Sequence, residues 1–121
     1  MPKKVLIIDD SAVTCSLLSE RVESGGYVVM VANSSEQGLE IMRKQLPDLV
    51  LLDVYMPRMD GFEVCRRAKS DPLIKDIPVV FVTTAGQKED LAKGKEAGGN
   101  GYITKPYDGK LFLEEVKRLI G

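Results

Sequence analysis

Val5-Leu6-Ile7-Ile8-Asp9-Asp10-Ser11 and Leu49-Val50-Leu51-Leu52-Asp53 are two short apolar runs, and each one stops at carboxylates. Continuous apolar runs of this length, without alternation, read as strands buried on both faces, the kind that parallel sheets contain. If the two strands are neighbours, Asp9, Asp10 and Asp53 converge on one end of a sheet. Three carboxylates so placed repel one another unless a proton or a cation enters. A donor set made only of oxygen suits a hard divalent cation, Mg²⁺ most simply, with Mn²⁺ able to replace it.

Working outward, the same pattern repeats five times. Strands read at Lys4–Asp9, Tyr27–Ala32, Asp48–Asp53, Val79–Thr83 and Gly101–Thr104. Helices read at Ser11–Ser24, Ser35–Gln45, Gly61–Ser70, Gln87–Ala97 and Asp108–Ile120. Cys15, Leu18 and Val22 recur at helical spacing, as do Phe112, Val116 and Leu119. Gly25-Gly26, Asp71-Pro72 and Gly98-Gly99 close the first, third and fourth helices, and Ser34 or Ser35 opens the second. Alternating units of this kind specify an α/β fold, a doubly wound (βα)5 arrangement around a five-stranded parallel sheet. Right-handed crossovers with one reversal give the flavodoxin-like strand order 2-1-3-4-5. Strands one and three are then adjacent, and the crevice beyond their carboxyl ends is the expected site. Thr83, ending strand four, and Lys105, just past strand five, reach the same rim.

Composition narrows the function. A chain of 121 residues with 44% hydrophobic and 29% charged content suits one globular domain over residues 1–121. A net charge of −1 argues against direct nucleic-acid binding. No apolar run approaches a membrane span, and Met1-Pro2-Lys3-Lys4 leads into a strand without a cleavage region, so a cytoplasmic protein is expected. With no histidine in the chain, a phosphohistidine donor has to be another molecule. Cys15 and Cys65 read as free, buried thiols on opposite faces of the sheet.

The full set of motifs resembles the receiver domain of bacterial two-component response regulators, of the CheY-like type. It is carried by Val5–Ser11, Pro47-Asp48 through Met56-Pro57, Asp60-Gly61, Pro78–Thr84 and Gly101-Tyr102-Ile103-Thr104-Lys105-Pro106, in order and at the right spacings. The resemblance implies that Asp53 is the phosphoacceptor, with Mg²⁺ held by Asp10, Asp53 and the backbone carbonyl of Tyr55. Asp9 would hold metal-bound water. Thr83 and Lys105 would contact the phosphoryl oxygens, Tyr102 would be the aromatic switch, and Lys105–Pro106 would be cis. A sensor histidine kinase or histidine phosphotransfer protein would supply the phosphoryl group, and a downstream effector or fused output domain would receive the signal. Such a chain is no turnover enzyme: it transfers the group to itself and loses it to water.

Other readings compete with this one. Asp10 alone would serve as a helix N-cap, Asp53 as a loop aspartate, Tyr102 as an edge-strand aromatic. A haloacid-dehalogenase-type hydrolase needs a second aspartate where this chain has Tyr55. An FMN binder would open with a Ser/Thr/Gly loop rather than two carboxylates. A receiver that no longer takes phosphate would not keep the whole acidic set. The chain carries no DNA-binding or catalytic segment, so it stands alone or belongs to a longer protein. Gly99-Asn100-Gly101 departs from the acidic pair of the winged-helix subfamily, which argues against that subfamily's dimer. Leu91 is the only large apolar residue of the fourth helix, so that helix is expected to be weakly anchored. Tyr55 and Ala85 flank the expected path of hydrolytic water and offer little to orient it, which points to slow loss of the phosphoryl group.

Overall fold

The structure, a computed structural model, describes residues 2–121. Its elements run β1 (Lys4–Ile8), α1 (Ala12–Ser24), β2 (Val28–Ala32), α2 (Ser35–Gln45), β3 (Leu49–Leu52), α3 (Gly61–Lys69), β4 (Val79–Thr83), α4 (Lys88–Glu96), β5 (Gly101–Thr104) and α5 (Gly109–Ile120). The strands form one parallel sheet in the order β2-β1-β3-β4-β5, as the alternation of elements predicts. The expected boundaries differ mainly in that they took in caps and turn residues. Ser11, Ser34, Asp60 and Asp108 cap α1, α2, α3 and α5, each accepting a backbone N–H with its side chain. Ser11, not Asp10, is therefore the N-cap of α1, which leaves the Asp10 carboxylate free of that task.

The sheet divides the interior in two. Val5, Ile7, Leu49, Leu51, Val80 and Val82 face α1 and α5, where Cys15, Leu18, Val22, Phe112 and Val116 meet them. Leu6, Ile8, Val50, Leu52, Val79 and Phe81 face the other helices and meet Met42, Phe62, Val64, Cys65 and Ala97. Cys15 and Cys65 are free thiols in these separate clusters, as the topology requires. β1, β3 and β4 are buried along most of their length, whereas the edge strands β2 and β5 are only partly covered.

Three features were not anticipated. α2 ends on Leu46 in the left-handed region (φ 48), a position usually given to glycine. Ile74 is fully buried although it lies in the turn between α3 and β4. Leu91 is 44% exposed, so among the helix's own residues only Gly94 is buried and α4 is held even less than its poor apolar content implies.

Candidate functional site

Ile8 pairs with Leu52 across β1 and β3, so the residues that follow, Asp9 and Asp53, leave the sheet side by side. The Asp53 N–H still donates to the Ile8 carbonyl at 3.0 Å, and that of Asp9 to Ala32 at 3.1 Å. One carboxylate oxygen from each of Asp9, Asp10 and Asp53 lies within 4.8 Å of the others. Asp9 is 1% exposed and Asp10 is exposed. The Asp9 carboxylate accepts the Ser11 N–H at 2.9 Å on one oxygen and faces the Lys105 ammonium at 3.4 Å on the other. Burial, reinforced by the neighbouring Asp53 charge, raises the Asp9 pKa even though the Ser11 amide and Lys105 pull it down. One ammonium against three carboxylates leaves the rim short of positive charge. An all-oxygen set in that condition fits a hard dication.

The loop after Asp53 is held tightly. Asp53 Oδ1 accepts the Val54 N–H at 2.8 Å. The Gly61 N–H donates to the Val54 carbonyl at 2.9 Å, and a Cβ on Gly61 would stand 2.1 Å from the Asp53 carbonyl oxygen. Gly61 is thus required by close approach behind the acid. The buried Ser35 hydroxyl donates to the Met59 carbonyl at 2.6 Å and fixes the far side of the loop. The Tyr55 side chain, in contrast, is 59% exposed.

β4 and β5 bring the remaining residues. Thr83 is fully buried, and its hydroxyl accepts the Ala85 N–H at 3.2 Å. The Lys105 N–H donates to the Thr83 carbonyl at 2.8 Å, and the Lys105–Pro106 bond is cis, as expected. The Tyr102 hydroxyl donates to the Ala85 carbonyl, so Ala85 stands between the threonine and the tyrosine. The Tyr102 ring packs on Phe81 with centroids 5.5 Å apart, against Gly94 of α4. Burial pushes the Tyr102 phenol up to about 12, with Asp90, Tyr55 and Asp53 adding to the rise. The ring of Tyr102, the expected aromatic switch, thus lies inward, packed on Phe81 and tied to the Ala85 carbonyl.

Asp9, Asp10, Asp53 and Lys105 thus meet at one rim, with Thr83 and Tyr102 joined behind it through Ala85. Sequence reasoning missed Ser35, whose role depends on a carbonyl 24 residues away in the chain. It also missed the contact of Gly94 with Tyr102, which is a matter of ångströms rather than pattern.

Comparison with known proteins agrees with this geometry. The sequence model of the response regulator receiver domain matches residues 5–117. The polar-differentiation response regulator DivK of Brucella anthropi is 32% identical over 121 residues, covering 100% of this chain and 98% of its own length. A solved candidate response regulator from Chloroflexus aurantiacus superimposes with a TM-score of 0.95 at 33% identity, over 99% of this chain and 98% of that one. The receiver domain of the sensor histidine kinase PA1611 from Pseudomonas aeruginosa, solved with magnesium coordinated in its active site cleft, has a TM-score of 0.92. It is 23% identical, covering 100% of this chain and 99% of its own, and that likeness is one of fold. Against other curated relatives the chain spans only part of the protein, 26% of the response regulator PleD of Caulobacter vibrioides and 49% of the regulator RpaA of Synechocystis. The match takes in every strand and the acids at the strand ends, and the chain belongs to the response regulator receiver domain family of two-component systems.

Proposed function

We propose that Asp53 accepts a phosphoryl group from a phosphohistidine on a partner protein, a sensor histidine kinase or a histidine phosphotransfer protein. The observation that carries this reading is the set of three carboxylates within 4.8 Å of one another, faced by a single ammonium. Asp9, Asp10, Asp53 and the Tyr55 carbonyl would hold Mg²⁺, or Mn²⁺ in its place. When bound, the metal supplies positive charge to the oxygens of the transferring group.

The rest follows from the chain's own residues. An oxygen of Asp53 forms the new bond to phosphorus as the phosphorus–nitrogen bond of the donor histidine breaks, and the imidazole leaves. The transition state is loose, with charge on the equatorial oxygens, so the work is positioning and electrostatics. Lys105 offers its ammonium at the rim, where it faces Asp9, and the Thr83 hydroxyl a donor once it turns from the Ala85 amide. Water later attacks the acyl phosphate at phosphorus, and the bond from phosphorus to the Asp53 oxygen breaks. Inorganic phosphate leaves as the carboxylate is regenerated, so the chain is a stoichiometric acceptor rather than a turnover catalyst.

The output face is α4, β5 and α5. Thr83 moving toward the phosphoryl group acts on Ala85, and through the Ala85 carbonyl on Tyr102, whose ring touches α4. A downstream effector, or an output domain in the same protein, would read that face. No helix among the described residues is long and apolar enough to cross a membrane, and we place the protein in the cytoplasm with its kinase's donor domain.

Intact-mass measurement after acetyl phosphate and Mg²⁺ tests the proposal. One added phosphoryl group on the wild type, none on Asp53→Asn and none in EDTA is the expected result. Full uptake by Asp53→Asn, or in EDTA, overturns it.

A further inference from the structure

α4 reaches the sheet through a glycine. A Cβ built on Gly94 would lie 2.9 Å from Tyr102 Cδ2, 3.0 Å from Cε2 and 3.2 Å from Phe81 Cδ2. The first of these is closer than a real Cβ approaches and the second is tight, so a side chain at position 94 presses on the tyrosine and either the ring or the helix must give. Although α4 buries little of itself, its C-terminal turn is tied down at this residue. The Gly94 carbonyl accepts the Gly99 N–H at 3.0 Å, which ties it to the turn entering β5. That turn is itself clamped. The Asn100 side-chain oxygen accepts the Val79 N–H at 2.9 Å and the Lys69 ammonium at 2.9 Å, and Lys69 also reaches the Ile77 carbonyl at 2.8 Å. The ring has an easier way out, because Tyr102 is on an edge strand beside an open groove lined by Leu91, Gly94, Gly99 and Gly101.

We propose that Gly94 is a positioning residue for phosphoryl binding, admitting Tyr102 to its inward place before any phosphoryl group arrives. The inference rests on the function proposed above and deepens it by naming what regulates the site. With the ring inside, the Tyr102 hydroxyl holds the Ala85 carbonyl, while the Ala85 amide meets the Thr83 hydroxyl. Coupling between two sites is reciprocal: if the phosphoryl group favours the inward ring, the inward ring favours the phosphoryl group by the same factor. Glycine at position 94 removes the steric cost of that ring position in advance. The unphosphorylated chain therefore binds a phosphoryl mimic more tightly than it would with alanine there, and its output face is partly set before signalling.

Calorimetric titration of the Mg²⁺-loaded full chain with beryllofluoride tests this in four proteins: wild type, Gly94→Ala, Tyr102→Ala and the double variant. Alanine is a better helix former than glycine, so Gly94→Ala folds, which thermal unfolding verifies. The expected result is a rise in Kd of roughly tenfold for Gly94→Ala, of the size typical for coupling between sites. In the Tyr102→Ala background the same substitution should change Kd by less than about twofold, since no ring remains to displace. An unchanged Kd in Gly94→Ala overturns the proposal, and so does an equal loss with and without the tyrosine. Failure of the wild type to bind beryllofluoride with Mg²⁺ overturns instead the phosphoacceptor reading beneath it, and this proposal with it.

Discussion

α3 and α4 are both nine residues long and lie on the same side of the sheet, yet they are held in opposite ways. α3 buries Gly61, Phe62, Val64, Cys65 and Ala68, whereas α4 buries Gly94 alone. Phe62 meets Phe81 at 5.4 Å between centroids, and the Cys65 thiol reaches across to the Ala97 carbonyl at 3.4 Å. The loop that enters α3 carries the candidate phosphoacceptor, and the loop that enters α4 carries Ala85. One loop leads into a fixed helix and the other into a loosely held one. A site that must keep three like charges in register needs the first kind of support. An output surface needs the second, because an element with little buried area shifts at small cost.

The most forceful way to break this contrast is to truncate each helix in turn. Phe62→Ala should cost about 3–5 kcal/mol of stability, the usual range for a buried phenylalanine. Leu91→Ala should stay within about 0.5 kcal/mol, as for a surface substitution. Urea denaturation of both variants checks this, and a large loss from Leu91→Ala would mean that α4 is anchored after all.

A second test acts on the clamp of the turn between α4 and β5. Lys69→Met removes an ammonium that serves the carbonyls of Lys75 and Ile77 and the Asn100 side chain, and burial already lowers its pKa. The loss should be about 2 kcal/mol, in the range for hydrogen bonds to a charged group. Amide exchange should rise mainly around residues 94–101 rather than in α3.

Hydrogen exchange on the intact chain sharpens the comparison without mutation. Amides of α4 should exchange through openings of lower free energy than those of α3, and beryllofluoride with Mg²⁺ should change residues 84–104 most. Equal change across α1 and α2 would show that the response is spread over the fold.

The smallest effects concern the two loops themselves. Tyr55 belongs to the loop of the fixed helix, Ala85 to that of the loose one. Since Tyr55 is 59% exposed, Tyr55→Asn should alter the decay of phosphorylated protein by less than about threefold, under roughly 0.7 kcal/mol in the barrier. Ala85 is buried beside Thr83 and has no group to orient water, so Ala85→Glu should speed decay more than Tyr55→Asn does. Decay followed by mass spectrometry separates them, and the reverse order would mean that the Tyr55 ring covers the acyl phosphate despite its exposure.

Much of this arrangement was legible in the chain. Val5–Ile8 and Leu49–Leu52 announce buried parallel strands because nothing interrupts them, and the single reversal in winding makes them neighbours. That adjacency alone brings Asp9 and Asp53 together. The poor apolar content of α4 was visible too, but not the outward turn of Leu91: one leucine on a helix defines no stripe, so its direction is set by packing. Leu46 in a left-handed cap was hidden because leucine carries no signal for that conformation. Ile74 was hidden because it packs from a turn, where periodicity is silent. The roles of Gly94 and Ser35 depend on contacts between elements far apart in sequence, which spacing does not encode.

The packing of Tyr102 on Phe81 also makes the protein its own optical probe. The chain has four tyrosines and no tryptophan, so no indole masks their near-ultraviolet signal. Tyr55 is exposed, while Tyr107 meets Phe112 edge-on at 5.0 Å on the other side of the sheet. A tilted aromatic pair at 5.5 Å, held in a chiral setting, contributes circular dichroism that vanishes if the ring swings into solvent. The state of the proposed output face can therefore be followed in solution by light alone, with no label attached and no partner present.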